Sequence, residues 1–121
     1  MALTILEDEA TEQGVFGFSV TFTDDDGDAV IPNADTIFWT LTNNVGTVIN
    51  DRDNEAEASA ASITIVLSGD DLAILPGETA PVVRRRITVL WEYDSDLGDD
   101  LPGTAEVILK VRNLTRLPAT E

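Results

Sequence analysis

The feature that most restricts this chain is a two-residue rhythm of apolar side chains that returns in five separate segments. In GVFGFSVTFT, residues 14–23, Phe16, Phe18, Val20 and Phe22 fall on one parity and Gly17, Ser19 and Thr21 on the other. Successive side chains of a strand point to opposite faces, so this spacing predicts a strand with one buried face. DTIFWTLT (35–42) repeats it, with Ile37, Trp39 and Leu41 on one face and Thr36, Phe38, Thr40 and Thr42 on the other. ASITIVLS (61–68) places Ile63, Ile65 and Leu67 inward, and VVRRRITVLWEY (82–93) places Ile87, Val89, Trp91 and Tyr93 inward, against Arg84, Arg86, Thr88 and Glu92. In TAEVILKVRN (104–113), Val107, Leu109 and Val111 alternate with Glu106, Ile108, Lys110 and Arg112. The β-branched and aromatic content of all five segments agrees with strand formation.

Weaker signals fill the gaps. Leu3–Leu6 reads as a short strand. Asn43-Asn44 suits a tight or bulged hairpin, because asparagine tolerates positive φ and bonds to its own backbone, so residues 46–49 are expected to return as a short antiparallel strand. DRDNEAEASAA (51–61) is polar and small and reads as a mobile crossing between sheet edges. In SGDDLAIL (68–75), Ser68 reads as the cap of one helical turn carrying two early aspartates, ended by Pro76-Gly77. DSDLGDDLPG (94–103) reads as a loop. With about seven strands, one short helical turn and no long helical period, the fold class is all-β, a two-sheet antiparallel β-sandwich. A chain of 121 residues fits one domain, 1–121, with residues 1–13 as an N-terminal arm or edge strand and 115–121 as a loose tail. The expected core is Phe18, Val20, Phe22, Ile37, Trp39, Leu41, Ile63, Ile65, Leu67, Ile87, Val89, Trp91, Val107, Leu109 and Val111, one parity of each strand.

Charge removes whole classes of partner. Against 23 acidic residues stand 7 basic ones, and a net charge of −16 repels phosphate backbones and anionic membrane surfaces alike. No apolar run approaches the roughly 20 residues of a spanning helix. The opening MALTILEDEATEQ lacks a basic region and turns acidic early, the reverse of a secretory signal, so folding in a cytoplasm is expected. Without cysteine the chain has no disulfide framework and no thiol nucleophile. Asn113-Leu114-Thr115 has the form of a glycosylation acceptor, which secretion would have to make meaningful.

Two acidic stretches call for a choice between turn, metal site and catalyst. A calcium loop of the helix-flanked kind needs ligands at positions 1, 3 and 5, glycine at 6 and glutamate at 12. Counted from Asp24, Asp26 and Asp28 fit, but Ala29 and Asp35 stand at positions 6 and 12, and strands flank the loop. An Asp/Gly turn needing no metal is the expectation, with calcium at Asp24, Asp26 and Asp28 the competing reading, joined by Asp94 and Asp96 if the two stretches converge. Catalysis finds less support: the chain has no histidine or cysteine, no serine-centred elbow and no phosphate-cradling glycine loop, and aspartates on hydrophilic turns lack the desolvating cleft that raises a carboxyl pKa. Neither catalytic nor cofactor-binding residues are assigned. Arg84-Arg85-Arg86 holds three of the seven basic residues. Arg84 and Arg86 share one face and Arg85 points oppositely, so the pair either bonds carboxylates within the chain or meets a partner, where arginine is enriched. Trp39 and Trp91 read as packing residues.

The series TFTDDDGDAVIP, DTIFWTLTNNVGTVIN, SITIVLSGDDLAI and VLWEYDSDLGDDLPGTAEVILKVRNL, from about Phe16 to Leu114, resembles the small immunoglobulin-like proteins among the virion structural genes of tailed bacteriophages. The resemblance implies an immunoglobulin-like sandwich that adheres to a larger particle, multimeric there and without catalytic residues. Its partner would be a capsid protein or another virion protein, and its place the virion after assembly in the host cytoplasm. Acidity tilts the expected position toward the outer capsid, as decoration or cement, because packaged DNA has the same sign. The alternatives are a head-tail connector or neck protein, a tail or baseplate accessory, and a calcium- or carbohydrate-binding module.

Overall fold

Alternating segments this short bury their apolar faces only by facing another sheet, and they do so here. The computed structural model of the chain describes residues 2–43, 45–75 and 77–113, with side chains from residue 9 onward. The strands are β1 (Ala2–Thr11), β2 (Val15–Thr21), β3 (Ile37–Thr42), β4 (Glu55–Glu57), β5 (Ser62–Ser68), β6 (Val82–Ser95) and β7 (Gly98–Arg112), with a 3-10 turn at Gly69–Leu72. Five of them form one sheet in the order β1-β7-β6-β3-β4, and β2 pairs with β5 in a second. The chain is thus an all-β, seven-stranded sandwich of immunoglobulin-like layout.

Every expected core residue is buried between the two sheets. Phe18, Val20 and Phe22 with Ile63, Ile65 and Leu67 close over Ile37, Trp39, Leu41, Ile87, Val89, Trp91, Val107, Leu109 and Val111. Phe16, of the same parity, is only partly buried at the rim. Phe22 meets the Trp91 ring edge-on, centroids 4.9 Å apart. The Trp91 indole lies across Gly103, where a Cβ would come within 2.3 Å of it, so the glycine makes room for the ring. Ile49, Leu72, Val83 and Tyr93 complete the same core.

The departures from the sequence reading sit where alternation is weak. No strand forms over residues 46–49; Val48 makes a single bridge to Thr42. Asn43 shapes the turn, its Oδ1 accepting the N–H groups of Val45 and Thr47 at 3.0 and 2.9 Å, while the Asn43 N–H to Thr47 carbonyl and Ile49 N–H to Leu41 carbonyl bonds keep the return antiparallel but short. Asn44 lies outside the described residues. Asn50, Asp51 and Asn54 then take positive φ and turn the chain, and Glu55–Glu57, inside the expected mobile crossing, pairs with Ile37–Trp39 as the edge strand. Two glutamates around one alanine are too few to carry a readable period, so only the neighbouring strand makes this segment β. The expected loop 94–103 is instead the end of a long hairpin: β6 and β7 pair as far as Ser95 and Gly98, with an irregularity after Tyr93. Asp94 Oδ1 accepts the Asp100 N–H at 2.9 Å, holding that irregular end closed.

The N-terminal strand runs well beyond Leu3–Leu6 and pairs in parallel with β7 as an edge strand, shifting register between Ile5 and Glu9. The helical turn is present, and Ser68 contributes its N–H to Asp71 Oδ2 at 3.1 Å. Pro76 and the expected tail 115–121 lie outside the described residues. Ile108, read as outward, is 8% exposed; it sits beside Arg86 on β6 and pairs with β1, so the edge strand encloses it within the sheet.

Candidate docking face

The outer face of the five-stranded sheet is built from the second parity of β3, β6 and β7. Cross-strand pairing sets these residues in rows, Phe38 beside Leu90 and Thr104, then Thr40 beside Thr88 and Glu106, then Thr42 beside Arg86 and Ile108. The next rows are Arg84 opposite Lys110 and Val82 opposite Arg112. Register alone therefore gathers Arg84, Arg86, Lys110 and Arg112, four of the chain's seven basic residues, at one end of one face.

Two of these cations have carboxylates within loose reach. Arg86 Nη1 lies 3.8 Å from Glu106 Oε1, and Arg112 Nε lies 3.7 Å from Glu9 Oε1. Arg84 and Lys110 stand directly opposite each other and make no ion pair with any described side chain. Like charges directly opposite on neighbouring strands are destabilising. On its other side Lys110 stands in register with Glu9 of β1, whose carboxylate lies 3.7 Å from Arg112 Nε, so the couple is only partly offset. At the far end of the same face, Phe38, Leu90, Pro102 and Thr104 line a shallow hollow, and Leu90 is 44% exposed. Cations at one end and apolar surface at the other give the face the mixed character of a contact surface.

Arg85 takes the opposite direction, as its parity requires, and that places it inside the core rather than against solvent. It is 0% exposed and forms a two-pronged bond to Glu78, Nη1 to Oε2 at 2.8 Å and Nη2 to Oε1 at 2.6 Å. Nη2 also donates to the Ala73 carbonyl and Nη1 to that of Arg84. The pair straps the segment after the 3-10 turn onto β6. The Arg85 guanidinium holds the Glu78 carboxyl below the usual glutamate range, against the opposing effect of burial. A second clasp joins Arg52 to buried Asp71 through Nε at 2.8 Å and Nη2 at 3.0 Å, with Arg52 also bonded to Glu55 and lying over the Trp39 ring. Burial would push Asp71 up, but the bonds from Arg52, Asn50 and the Ser68 N–H together hold it low. Sequence reading missed both clasps. The available signal for Arg85 was its parity with Ile87 and Val89; Arg52 offered none.

The acidic stretches resolve into turns. Asp24 Oδ1 accepts the N–H groups of Asp26 and Asp28 at 2.9 and 3.0 Å, and the Asp24 N–H donates to the Asp28 carbonyl. Gly27, at φ 84°, supplies the left-handed residue that the turn requires. Asp24, Asp26 and Asp28 can each offer an oxygen within 4.8 Å of the others, the only such trio among the described residues, so Asp94 and Asp96 do not join it. Asp94 instead accepts from the Asn33 side chain, which also donates to Asp100. The first turn lies near Tyr93, whose hydroxyl is pushed up by burial and by the charges of Asp25, Asp24 and Asp26. Because Asp24 already has backbone partners, adding millimolar calcium is expected to leave the thermal midpoint within about a degree, whereas a bound ion would raise it by mass action. A rise of several degrees, reversed by chelator, would make the turn a cation site.

No helix among the described residues is long and apolar enough to cross a membrane. The chain matches no protein-family model, and neither a curated protein nor a solved structure matches it.

Proposed function

We propose that this chain is a non-enzymatic virion structural protein of a tailed bacteriophage that docks on the outer capsid surface through the outer face of its five-stranded sheet. The observation that carries the docking mode is the directly opposed couple Arg84 and Lys110, which form no ion pair among the described side chains and are flanked by Arg86 and Arg112, in a molecule of net charge −16. A partner surface bearing carboxylates would relieve that couple, and the apolar hollow at Phe38 and Leu90 would add contact area. The virion placement rests on the resemblance of the strand and turn series to phage immunoglobulin-like proteins, and the capsid exterior on the acidity, which disfavours a position against packaged genome.

The test is co-sedimentation of tagged protein with capsids that lack it. Wild type is expected to pellet with capsids, less so as salt rises, because exposed charge pairs are screened. Arg84→Ala/Arg86→Ala is expected to weaken association by about tenfold or more while melting close to wild type, since truncating a desolvated arginine at an interface centre typically costs over 1 kcal/mol. Pelleting with isolated necks or tails instead of capsids would move the protein to those positions. Binding to no virion part would overturn the reading.

A further inference from the structure

The smaller sheet, unlike the larger one taken as a whole, carries no charged residue in any strand: β2 is VFGFSVT and β5 is SITIVLS. Neither of its long edges pairs with another strand among the described residues. The Gly69 N–H donates to the Gly14 carbonyl at 2.9 Å, and the Phe22 N–H to the Ala61 carbonyl at 3.2 Å. These two bonds fix the phase of the antiparallel ladder, in which Phe16/Leu67, Phe18/Ile65 and Val20/Ile63 exchange hydrogen bonds. The N–H and C=O groups of Ser62, Thr64 and Val66 therefore point away from β2, and they find no partner among the described residues. All three residues are exposed, Val66 at 55%.

Natural sheet edges are usually blunted by lysine, proline, an inward charge, a bulge or a covering loop. None of the sequence devices is present between Ser62 and Ser68, and the register with β2 runs without a bulge. The β2 edge is the poorer template, because Gly17 sits in its middle and weakens a strand.

We propose that the open edge of β5 pairs antiparallel with β5 of a second copy of this chain, forming a two-fold dimer with a continuous four-stranded sheet β2-β5-β5-β2. The edge is self-complementary: with Thr64 opposite its counterpart and Ser62 opposite Val66, the same three residues satisfy one another through six backbone hydrogen bonds. This self-complementarity selects the second copy as occupant, and charge selects this edge as the place. Two molecules of −16 repel, and the β2-β5 sheet is the surface on which they approach to strand spacing, about 4.8 Å, without a strand carboxylate on either side. The dimer carries two cationic strips, so a repeated anionic surface would hold it by avidity. The inference stands independently of what those strips bind.

Sedimentation velocity over a concentration series tests it. Wild type is expected to show a monomer–dimer equilibrium that tightens as salt rises from roughly 0.05 to 0.5 M, because screening relieves the repulsion between copies. That sign is opposite to the one expected for docking through the cationic strip. Thr64→Pro removes one outward N–H without touching the β2 ladder, and Val66→Lys sets like charges near the axis at an exposed position. Each is expected to abolish the dimer while melting near wild type; Ser19→Lys, on β2, is expected to leave it intact. A wild type monomeric throughout the series, a dimer that survives Val66→Lys, or one lost in Ser19→Lys would overturn the assignment.

Discussion

Trp39→Ala is expected to lower stability by about 3–5 kcal/mol, the range for emptying a large aromatic site in a core. Trp39 is 5% exposed, sits on β3, next to the β4 edge of the five-stranded sheet, between Glu55 on β4 and Val89 on β6, and carries the Arg52 guanidinium 5.6 Å above its ring. Removing the indole opens a void on the β3 seam and strips the stem of Arg52 of its packing surface, loosening the clasp that Arg52 makes with Asp71. For a chain of this size each kcal/mol shifts the midpoint by roughly 4 °C, so the thermal midpoint should fall by well over ten degrees. Trp39→Phe is expected to cost much less: it refills most of the site and removes an indole N–H that is buried without an acceptor among the described residues. A Trp39→Ala protein melting within a degree or two of wild type would show that this parity does not carry the core.

Arg85→Ala is expected to cost a similar amount, about 3–5 kcal/mol, for a different reason. Breaking a buried ion pair by deleting one partner leaves the other charge uncompensated, whereas replacing both by apolar or neutral groups of similar volume is often nearly neutral. Here the deletion strands Glu78 and also frees the Ala73 and Arg84 carbonyls that Arg85 caps. Arg85→Met with Glu78→Gln should recover much of the loss, and a double-mutant cycle in urea separates the pair from the packing.

The same pair has a pH signature. Glu78 titrates lower in the folded chain than its ordinary value of about 4.5, so in the folded state it binds protons less readily than in the unfolded one. Its contribution is therefore fully present above that ordinary value and is lost as pH falls through the lower, folded one. Arg85→Ala should flatten this part of the acid limb, leaving the component from Asp71, which is depressed by its own partners. An acid unfolding profile unchanged in slope by Arg85→Ala would mean that the clasp contributes nothing to the pH dependence.

Much of the sandwich was legible because strands with one buried face write their burial into parity. All fifteen core positions expected from alternation are buried, and the Asp24–Asp28 stretch reads as a turn because aspartate and glycine favour the local bonds that Asp24 makes. Segments whose structure comes from a neighbour were not legible. Glu55–Glu57 becomes a strand through β3, the hairpin 94–103 is held by Asp94 closing on Asp100, and the 46–49 return is held to a single antiparallel bridge within a turn that the Asn43 side chain tightens.

The docking face divides along the same line. Parity and charge are local properties of the chain, so they alone put Arg84 and Arg86 on one face, set Arg85 against them and make the molecule strongly acidic. It takes the folded arrangement to lay β7 beside β6 in the register that sets Lys110 against Arg84 and Arg112 against Val82, and to bring Glu78 from another segment to Arg85 in the core. Pairing partners and ion pairs depend on which strands become neighbours, and that follows from burying both sheets' apolar faces at once, a condition no single segment contains.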